Sequence, residues 1–296
     1  MTTSKWIELN TKSLEGKTVA ITGSTGGLGE ELSEVIASLG AKLLFLNRNK
    51  SKTDRQIEAI LQKHPSVKIE FVQVDMQDFE SVKRACDELK RFEIDILILN
   101  AGAFNLPRKK TELGLDNVFQ INFLSPYFMI KELLPQLKQM ENSKIVVVGS
   151  IAHRYASFNE ADIDYAGEKD KQKIYGNSKR FLMFSLFELI KKEEKVKLAV
   201  THPGITATDI TSNYPKAFRM IAKPAMKLIY MSPRKACLSV VKGVFDETEA
   251  YSWIGPARKN IWGYPKKRPL VTCSMEESKK IFTKAEEIYA KMKNEG

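Results

Sequence analysis

Long apolar runs are missing from this sequence of 296 residues, and their absence excludes several classes of protein. No apolar run approaches the roughly 20 residues that a membrane-spanning helix needs. The amino-terminal residues, Met-Thr-Thr-Ser-Lys-Trp, lack the apolar core of a secretion signal. Internal repeats, low-complexity segments and linkers rich in proline and serine are absent as well. We therefore expect a globular, cytoplasmic protein.

Cysteine and histidine are also scarce, with three residues of each type. The cysteines are far apart and odd in number: Cys86, Cys237 and Cys273. This usage favours a reducing compartment and gives no sign of a metal site. The histidines are equally scattered: His64, His153 and His202. We expect them at the surface or in packing positions rather than as metal ligands.

Acidic residues are fewer than basic ones, 36 against 47, which gives a formal net charge of +11. A charge of this sign is compatible with a nucleic-acid or anionic-membrane partner. The basic residues are largely dispersed, with one cluster: Arg258, Lys259, Lys266, Lys267 and Arg268. No nucleic-acid-binding motif accompanies them. We favour a solvated basic surface that attracts a phosphate-bearing cofactor, and no nucleic-acid partner.

Short apolar segments alternate with amphipathic helical stretches along the chain. The predicted strands are Thr18–Thr22, Leu43–Asn47, Ile69–Val74, Ile94–Asn100, Ile145–Gly149 and Val196–Thr201. This alternation is typical of a parallel sheet covered by helices on both faces. Apolar residues make up 43% of the chain, which is enough for a substantial core. We predict an α/β fold, a single doubly wound domain over residues 1–296.

A glycine-rich turn follows the first predicted strand. Gly23-Ser24-Thr25-Gly26-Gly27-Leu28-Gly29 comes directly after Thr22, and Leu32, Val35, Ile36 and Leu39 then recur at helical spacing. A strand, a glycine turn and a helix are the context that a dinucleotide-binding turn needs. The glycines let the backbone approach a pyrophosphate, which binds at the helix N-terminus. The alternative is a flexible loop between two elements.

Tyr175 and Lys179 lie four residues apart, so they share a face if their segment is helical. A phenol has a pKa of about 10 and is a poor acid or base at neutral pH. A nearby ammonium favours the phenolate and lowers that pKa. The pair is thus suited to moving a proton to or from a substrate oxygen, although an isolated pair is more often a solvated helix face.

Together the two motifs resemble the short-chain dehydrogenase/reductase family, over about residues 17–209. The resemblance implies a Rossmann-like fold and a catalytic set that matches here Asn122, Ser150, Tyr175 and Lys179. Tyr175 would exchange the proton, Lys179 would assist it and bond the ribose, Ser150 would hold the substrate oxygen, and Asn122 would order a water. One departure is Gly149, where many relatives carry a serine.

The resemblance also implies a cofactor site made of several loops. Asp75 matches the acid that bonds the adenine, residues 100–102 match the Asn-Ala-Gly that supports the central sheet, and residues 203–208 match the loop at the nicotinamide amide. The whole predicted cofactor set is Gly23, Ser24, Thr25, Gly27, Leu28, Gly29, Asn47, Arg48, Asp75, Met76, Asn100, Ala101, Gly102, Tyr175, Lys179, Pro203, Gly204, Ile205, Thr206 and Thr208.

The end of the second predicted strand indicates which nicotinamide cofactor binds. An NAD enzyme of this fold usually has a carboxylate there, which accepts from the ribose hydroxyls. This chain has the neutral Asn47 followed by Arg48, whose planar guanidinium suits a 2′-phosphate. We predict NADP(H) in preference to NAD(H), the alternative being that Arg48 is an ordinary exposed cation.

Asn47-Arg48 and the long gap between Ser150 and Tyr175 resemble the retinol-dehydrogenase and protochlorophyllide-reductase branch, which implies a small lipophilic carbonyl or alcohol substrate. A segment around residues 209–235 is expected to cover that substrate. Its apolar and basic residues, from Tyr214 to Met231, fit a lid best. A core helix and a peripheral membrane contact are the alternatives.

These observations predict an NADP(H)-dependent oxidoreductase that interconverts a carbonyl and an alcohol. A catalytically silent NADP(H)-binding sensor or scaffold is the alternative from another class, because a fold does not determine a function. A nucleotide-sugar epimerase or dehydratase is a third hypothesis.

The segment from Phe181 to Ile190 is apolar nearly all round, which predicts either a homodimer through this helix or its full burial within one chain.

Overall fold

The backbone is organised around one sheet, which the computed structural model describes over residues 1–193, 195–206 and 230–294. Its strands are β1 Thr18–Thr22, β2 Lys42–Asn47, β3 Ile69–Gln73, β4 Ile96–Leu99, β5 Lys144–Val148, β6 Lys197–Thr201, β7 Ser252–Arg258 and β8 Trp262–Pro269. They lie in the order β3-β2-β1-β4-β5-β6-β7-β8, parallel except for the antiparallel β7–β8 pair. The predicted α/β doubly wound class is confirmed. The six predicted strands have boundaries within two residues of the prediction, whereas β7 and β8 were not predicted.

Helices cover both faces of this sheet. The described helices are α1 Thr3–Asn10, α2 Gly27–Ser38, α3 Lys50–Lys63, α4 Phe79–Leu89, α5 Asn117–Phe119, α6 Ser125–Leu137, α7 Lys171–Lys191, α8 Pro233–Ala236, α9 Leu238–Phe245 and α10 Met275–Asn294. A π-helical turn, Gln120–Leu124, joins α5 to α6, and a 3-10 turn, Ile151–Tyr155, follows β5. Among these helices, none is long and apolar enough to cross a bilayer.

The strands divide their side chains between two cores. Val19 and Ile21 of β1 enter the core under α2 and α9, whereas Ala20 enters the core under α4, α6 and α7. Successive strand residues point to opposite faces, so a strand that is buried on both sides reads as a continuous apolar run. This is why the segment Thr18–Thr22 could be recognised without alternation.

The apolar helix α7 is buried within the chain. Residues Phe181 to Leu189 are all buried, and α10 packs along α7 with Ile281 and Ala285 in the same core. The hydroxyl of Ser278 on α10 donates to the carbonyl of Phe184 at 2.7 Å. Burial within one chain, the second of the two predicted alternatives, therefore explains the composition of α7 without a partner subunit.

Strand β8 forms one edge of the sheet, and none of its residues is buried. It contains two prolines, Pro265 and Pro269, and the cations Lys266 and Lys267. A bulge interrupts its pairing with β7 between Pro256 and Arg258. The basic cluster predicted from the sequence thus lies on this hairpin.

Candidate active site

The glycine turn connects β1 to α2 at the carboxyl end of the sheet. Gly23 has a φ of +67°, which favours glycine, and α2 begins at Gly27. A Cβ on Gly29 would lie 2.2 Å from the carbonyl oxygen of Gly23, so no larger residue fits there. The turn therefore brings the backbone N–H groups of a helix N-terminus to the carboxyl edge of the sheet, here called the candidate cleft, which is the arrangement that a pyrophosphate needs.

Asn47 lies beneath this turn rather than in the cleft. Only 3% of it is exposed, and its Oδ1 accepts from the N–H of Ser24 at 2.8 Å. Its Nδ2 donates to Ser24 Oγ at 2.7 Å and to Thr53 Oγ1 at 3.0 Å. Because both N–H donors are used within the protein, the neutral Asn47 side chain has none left to donate to a bound ribose.

Arg48 and Asp75 meet at the rim of the same cleft. An Nη1–Oδ2 distance of 3.7 Å joins them, and 72% of the Arg48 side chain is exposed. Asp75 also accepts from the N–H of Gln77 at 3.0 Å. The neighbouring Met76 is buried in the core. The predicted adenine and ribose residues thus lie together, as an ion pair exposed to solvent.

Residues 100–102 join β4 to the glycine turn. The amide of Asn100 donates to the carbonyls of Thr22 at 3.1 Å and Gly23 at 2.9 Å. The hydroxyl of Thr22 accepts from the N–H groups of Asn100 and Ala101 at 3.0 and 2.9 Å. These four hydrogen bonds fix the glycine turn against the central strand, which matches the supporting role implied by the resemblance.

Asn122 lies in the π-helical turn and is fully buried. Its Oδ1 accepts from the N–H of Ala103 at 2.8 Å, and its Nδ2 donates to Ala103 O at 2.8 Å and Ser178 Oγ at 3.1 Å. A Cβ on Gly102 would lie 3.0 Å from Asn122 Oδ1 and 3.3 Å from Lys179 Nζ. Asn122 therefore connects the loop after β4 to α7, close to the Lys179 ammonium.

Ser150, Tyr175 and Lys179 converge where β5 meets α7. The Lys179 ammonium is buried, donates to Val148 O at 2.8 Å and lies 6.0 Å from the centre of the Tyr175 ring. The Ser150 hydroxyl accepts from the N–H of Ala152 at 3.2 Å. A Cβ on Gly176 would be 2.2 Å from Ala152 O, so α7 packs directly on the loop that carries Ser150.

Apolar side chains that no sequence motif indicated surround Tyr175. The Phe104 ring meets the Tyr175 ring edge-on at 5.2 Å. Leu106, Ala156 and Ile174 belong to the same small cluster. Their position in the sequence could have indicated them, because Phe104 and Leu106 closely follow the Asn-Ala-Gly segment at the cleft.

The departure at Gly149 has a structural cause. A Cβ there would lie 2.5 Å from Met183 Sδ and 3.1 Å from Met183 Cγ, both on α7. Met183 is fully buried and fills the volume that a serine side chain would occupy. The glycine at this position and the methionine on the helix are therefore a matched pair.

Residues 203–206 lead from β6 toward the cleft. Gly204 has a φ of +85°, and the carbonyl of Ile205 accepts from the N–H of Met231 at 3.0 Å. Thr208 and residues 209–229 of the predicted substrate-covering segment lie outside the described residues.

Among the residues described, no group of three His, Cys, Asp or Glu side chains is arranged for a metal ion. All three cysteines are free thiols.

Two of the three histidines are buried. His202 is 1% exposed, stacks on Trp253 at 5.1 Å, and its Nε2 lies 3.0 Å from Asn260 O. Burial lowers its pKa to about 3, so the ring is neutral at physiological pH. His153 is fully buried beside Ser150, and burial lowers its pKa to about 4. Both are packed side chains, and neither is placed to transfer a proton to the cleft.

Residues 17–218 match the sequence profile of the short chain dehydrogenase family. The chain is 32% identical over 219 residues to the WW domain-containing oxidoreductase of Drosophila melanogaster, covering 70% of this chain and about half, 53%, of that protein. It is 29% identical over 230 residues to retinol dehydrogenase 14 of Mus musculus, covering 73% of this chain and 68% of that protein.

The fold has a close counterpart among solved structures. An uncharacterized protein from Mycobacterium Paratuberculosis superimposes with a TM-score of 0.72, covering 95% of this chain and 96% of that chain at 22% identity. The sequence matches place the chain in the short-chain dehydrogenase/reductase family of oxidoreductases, which act on CH–OH groups. Its similarity extends to the retinol dehydrogenases of that family.

Proposed function

We propose that this protein is an NADP(H)-dependent oxidoreductase that interconverts a carbonyl and an alcohol on a lipophilic substrate. The convergence of Ser150, Tyr175 and Lys179 beside the glycine turn carries this proposal. The turn has the tight glycine contacts and the helix N-terminus that a dinucleotide requires, so the residues present fit a nicotinamide cofactor.

The nicotinamide supplies or accepts the hydride when it is bound. Toward a carbonyl substrate, the Tyr175 hydroxyl donates a proton to the oxygen as negative charge develops there. The Ser150 hydroxyl, whose oxygen already accepts from Ala152, donates a hydrogen bond to the same substrate oxygen. The Lys179 ammonium near the Tyr175 ring favours departure of the phenol proton.

The route of proton supply involves Asn122 indirectly. Both N–H donors of its side chain are used by Ala103 and Ser178. A π-helical turn departs from regular α-helical hydrogen bonding and is frequent at functional sites. We therefore assign the ordering of a water beside Lys179 to the backbone of this turn, and to Asn122 the stabilisation of the turn.

Arg48 supports the preference for NADP(H). Its guanidinium lies at the rim of the cleft with no carboxylate at position 47 to repel a 2′-phosphate. Asp75, at 3.7 Å, is the competing partner, so phosphate binding would require Arg48 to turn from this exposed pair. Exposed pairs are weak, about 0–1 kcal/mol, which makes this exchange favourable.

The apolar surroundings of Tyr175 support a lipophilic substrate. Phe104 and Leu106 are partly exposed and present carbon surface next to the phenol, which is the lining expected for an apolar ligand. Similarity to retinol dehydrogenase 14 points the same way.

A test of the proposed function measures oxidation of NADPH by the purified protein against lipophilic aldehydes, ketones and quinones, with Tyr175→Phe as the control. Turnover by the wild type that the variant loses would support the proposal. Tight NADPH binding with no turnover on any of these substrates would favour the alternative of a catalytically silent sensor or scaffold.

Two further predictions concern the cellular form of the protein. A homodimer is no longer needed to bury α7, and light scattering at micromolar concentration would decide between monomer and dimer. The cytoplasmic location predicted from the sequence is consistent with three free thiols, and cell fractionation would test it.

A further inference from the structure

We propose that His153 and Thr272 form a positioning device that holds the Ser150 loop against the carboxyl-terminal segment. This inference rests on the proposed function, because it treats Ser150 as the residue that must be held. His153 is the fourth residue of the segment that starts at Ser150, whereas Thr272 lies 119 residues later, between β8 and α10.

The His153 ring uses both of its nitrogen atoms. Nδ1 lies 2.6 Å from Ser150 O, and Nε2 lies 2.6 Å from Thr272 Oγ1. A carbonyl oxygen can only accept, so Nδ1 carries the proton of the neutral ring. Nε2 is then the acceptor, and the hydroxyl of Thr272 donates to it. Hydrogen-bond donation therefore runs in one direction: Thr272 donates to His153, and His153 donates to the carbonyl oxygen of Ser150.

Packing fixes the orientation of the ring. The Trp253 ring meets His153 at 5.6 Å and 90°, and the Phe184 ring lies 5.9 Å away. Both aromatic residues are buried, as is His153 itself. With no exposed atom, the imidazole has no access to substrate, so its effect on Ser150 can only be positional.

A second connection reinforces the first. The Arg180 guanidinium, next to Lys179 on α7, donates to His153 O at 3.0 Å and forms a bidentate pair with Glu277 of α10. Glu277 also accepts from the N–H of Phe158 at 2.9 Å. The start of α10 is thereby joined to both the Ser150 loop and the helix that carries Tyr175 and Lys179.

These contacts predict a functional role for a segment that is remote from the cleft. A hydroxyl at position 272 keeps His153 in the orientation that holds Ser150 O, and therefore the Ser150 hydroxyl, at its place. Small misplacements of a catalytic group reduce turnover by up to about a hundredfold, whereas cofactor binding at the glycine turn is not affected.

Thr272→Val removes the hydroxyl at nearly constant volume, and Thr272→Ser retains it. We expect kcat for carbonyl reduction to fall roughly tenfold in Thr272→Val and to stay within twofold of wild type in Thr272→Ser. The dissociation constant for NADPH should be unchanged in both. In a His153→Phe background, Thr272→Val should cause no further loss, since the two residues act through one connection.

Tyr289→Phe is the matched control, because it removes another hydroxyl of the carboxyl-terminal segment, which donates to Glu132 at 2.7 Å, far along α10 from the loop. An equal fall in kcat in this control, or turnover of Thr272→Val within twofold of wild type, would overturn the proposal.

Amide hydrogen exchange provides a readout that does not depend on activity. Exchange of residues 150–158 should be faster in Thr272→Val than in wild type or Tyr289→Phe. If the wild type turns over no substrate, the proposed function fails, and this exchange measurement alone decides the positioning inference. Unchanged exchange in Thr272→Val would then refute it.

Discussion

The two ends of the candidate cleft differ in how they hold their charged and polar groups. At the end proposed to bind adenosine, Arg48 is 72% exposed and its partner Asp75 is 33% exposed. At the end proposed to be catalytic, Asn122 and His153 have no exposed surface and Lys179 has 2%. Exposed pairs are weak and screened by salt, whereas a buried polar group without its partner costs about 1–3 kcal/mol.

This difference separates two kinds of control. The exposed rim can adjust affinity and cofactor choice through single substitutions that leave the fold intact. The buried polar groups hold the candidate catalytic residues in place through connected hydrogen bonds. Substitutions of these groups should therefore affect turnover or stability far more than cofactor affinity. Each of the following predictions tests this division, from the largest expected effect to the smallest.

Replacing Tyr175 by Phe keeps the ring and removes the proton. Turnover should fall by about a thousandfold, within the range expected for loss of a general acid, while NADPH affinity changes little. Steady-state kinetics and cofactor titration would check both. Near-normal turnover would show that another group protonates the substrate.

Lys179→Ala should instead reduce both turnover and NADPH affinity, since the Lys179 ammonium is near the phenol and is predicted to bond the ribose.

Acid should destabilise the fold through its buried histidines. Burial lowers the pKa of His153 to about 4 and that of His202 to about 3, from an ordinary 6.5. As pH falls below 6.5 the unfolded chain binds protons that the folded chain does not, so stability is full above this pH and is lost toward pH 4.

Between pH 7 and pH 5 this loss should be about 2 kcal/mol per histidine. Urea unfolding at the two pH values measures it, and His153→Phe should reduce the difference by about that amount. A variant with the same pH dependence as wild type would mean that His153 is protonated in the folded state as readily as in the unfolded one.

Substitutions at the rim should change cofactor choice and little else. Arg48→Ala should weaken NADPH binding about tenfold to a hundredfold and leave NADH binding almost unchanged, because a charge-assisted pair contributes about 1.5–3 kcal/mol. The wild-type preference should shrink with added salt. Equal affinities of the wild type for NADPH and NADH, or equal weakening of the binding of both cofactors in Arg48→Ala, would show that Arg48 is only a surface cation.

Asn47→Asp gives a sharper version of this test. A carboxylate there would repel the 2′-phosphate, and it would also lose the two donor bonds to Ser24 and Thr53. We expect the preference to turn toward NADH together with a loss of thermal stability. A full reversal with unchanged stability would mean that the buried network under the turn is less important than its geometry indicates.

The smallest predicted effect lies in the core behind Ser150. Gly149→Ser should destabilise the protein by about 1 kcal/mol, because Met183 must move its flexible end to admit the new side chain. Met183→Ala in the same chain should relieve this clash, so the two substitutions should be non-additive in chemical denaturation. Additive effects would show that the pair is not coupled.

The sequence predicted the parts of the molecule that depend on neighbouring residues. The strand Thr18–Thr22 and the glycine turn could be recognised because their pattern is local, and Tyr175 and Lys179 because a helix places them on one face. The grouping of Ser150 with Tyr175 and Lys179 was implied by the family resemblance and by no local pattern, since Ser150 follows β5 whereas Tyr175 and Lys179 lie on α7.

Contacts between distant residues could not be predicted in this way. The hydrogen bond between Thr272 and His153 joins residues that are 119 positions apart. Helix α10 covers α7, but the sequence pattern of α10 does not indicate which element it packs against. The sequence places Asn47 at the end of the second strand, but its hydrogen bonds to Ser24 and to Thr53 in the next helix could not be predicted from it. No local periodicity encodes such pairings, because they arise from tertiary packing.

The exposed strand β8 has a consequence for the behaviour of the protein at high concentration. A sheet edge normally offers a row of backbone N–H and C=O groups to any passing strand, and such edges seed intermolecular β-structure. Pro265 and Pro269 have no N–H to offer, and Lys266 and Lys267 repel an identical edge. We therefore expect this edge to be a poor template for another strand, and fibril growth from it to be disfavoured in concentrated solutions.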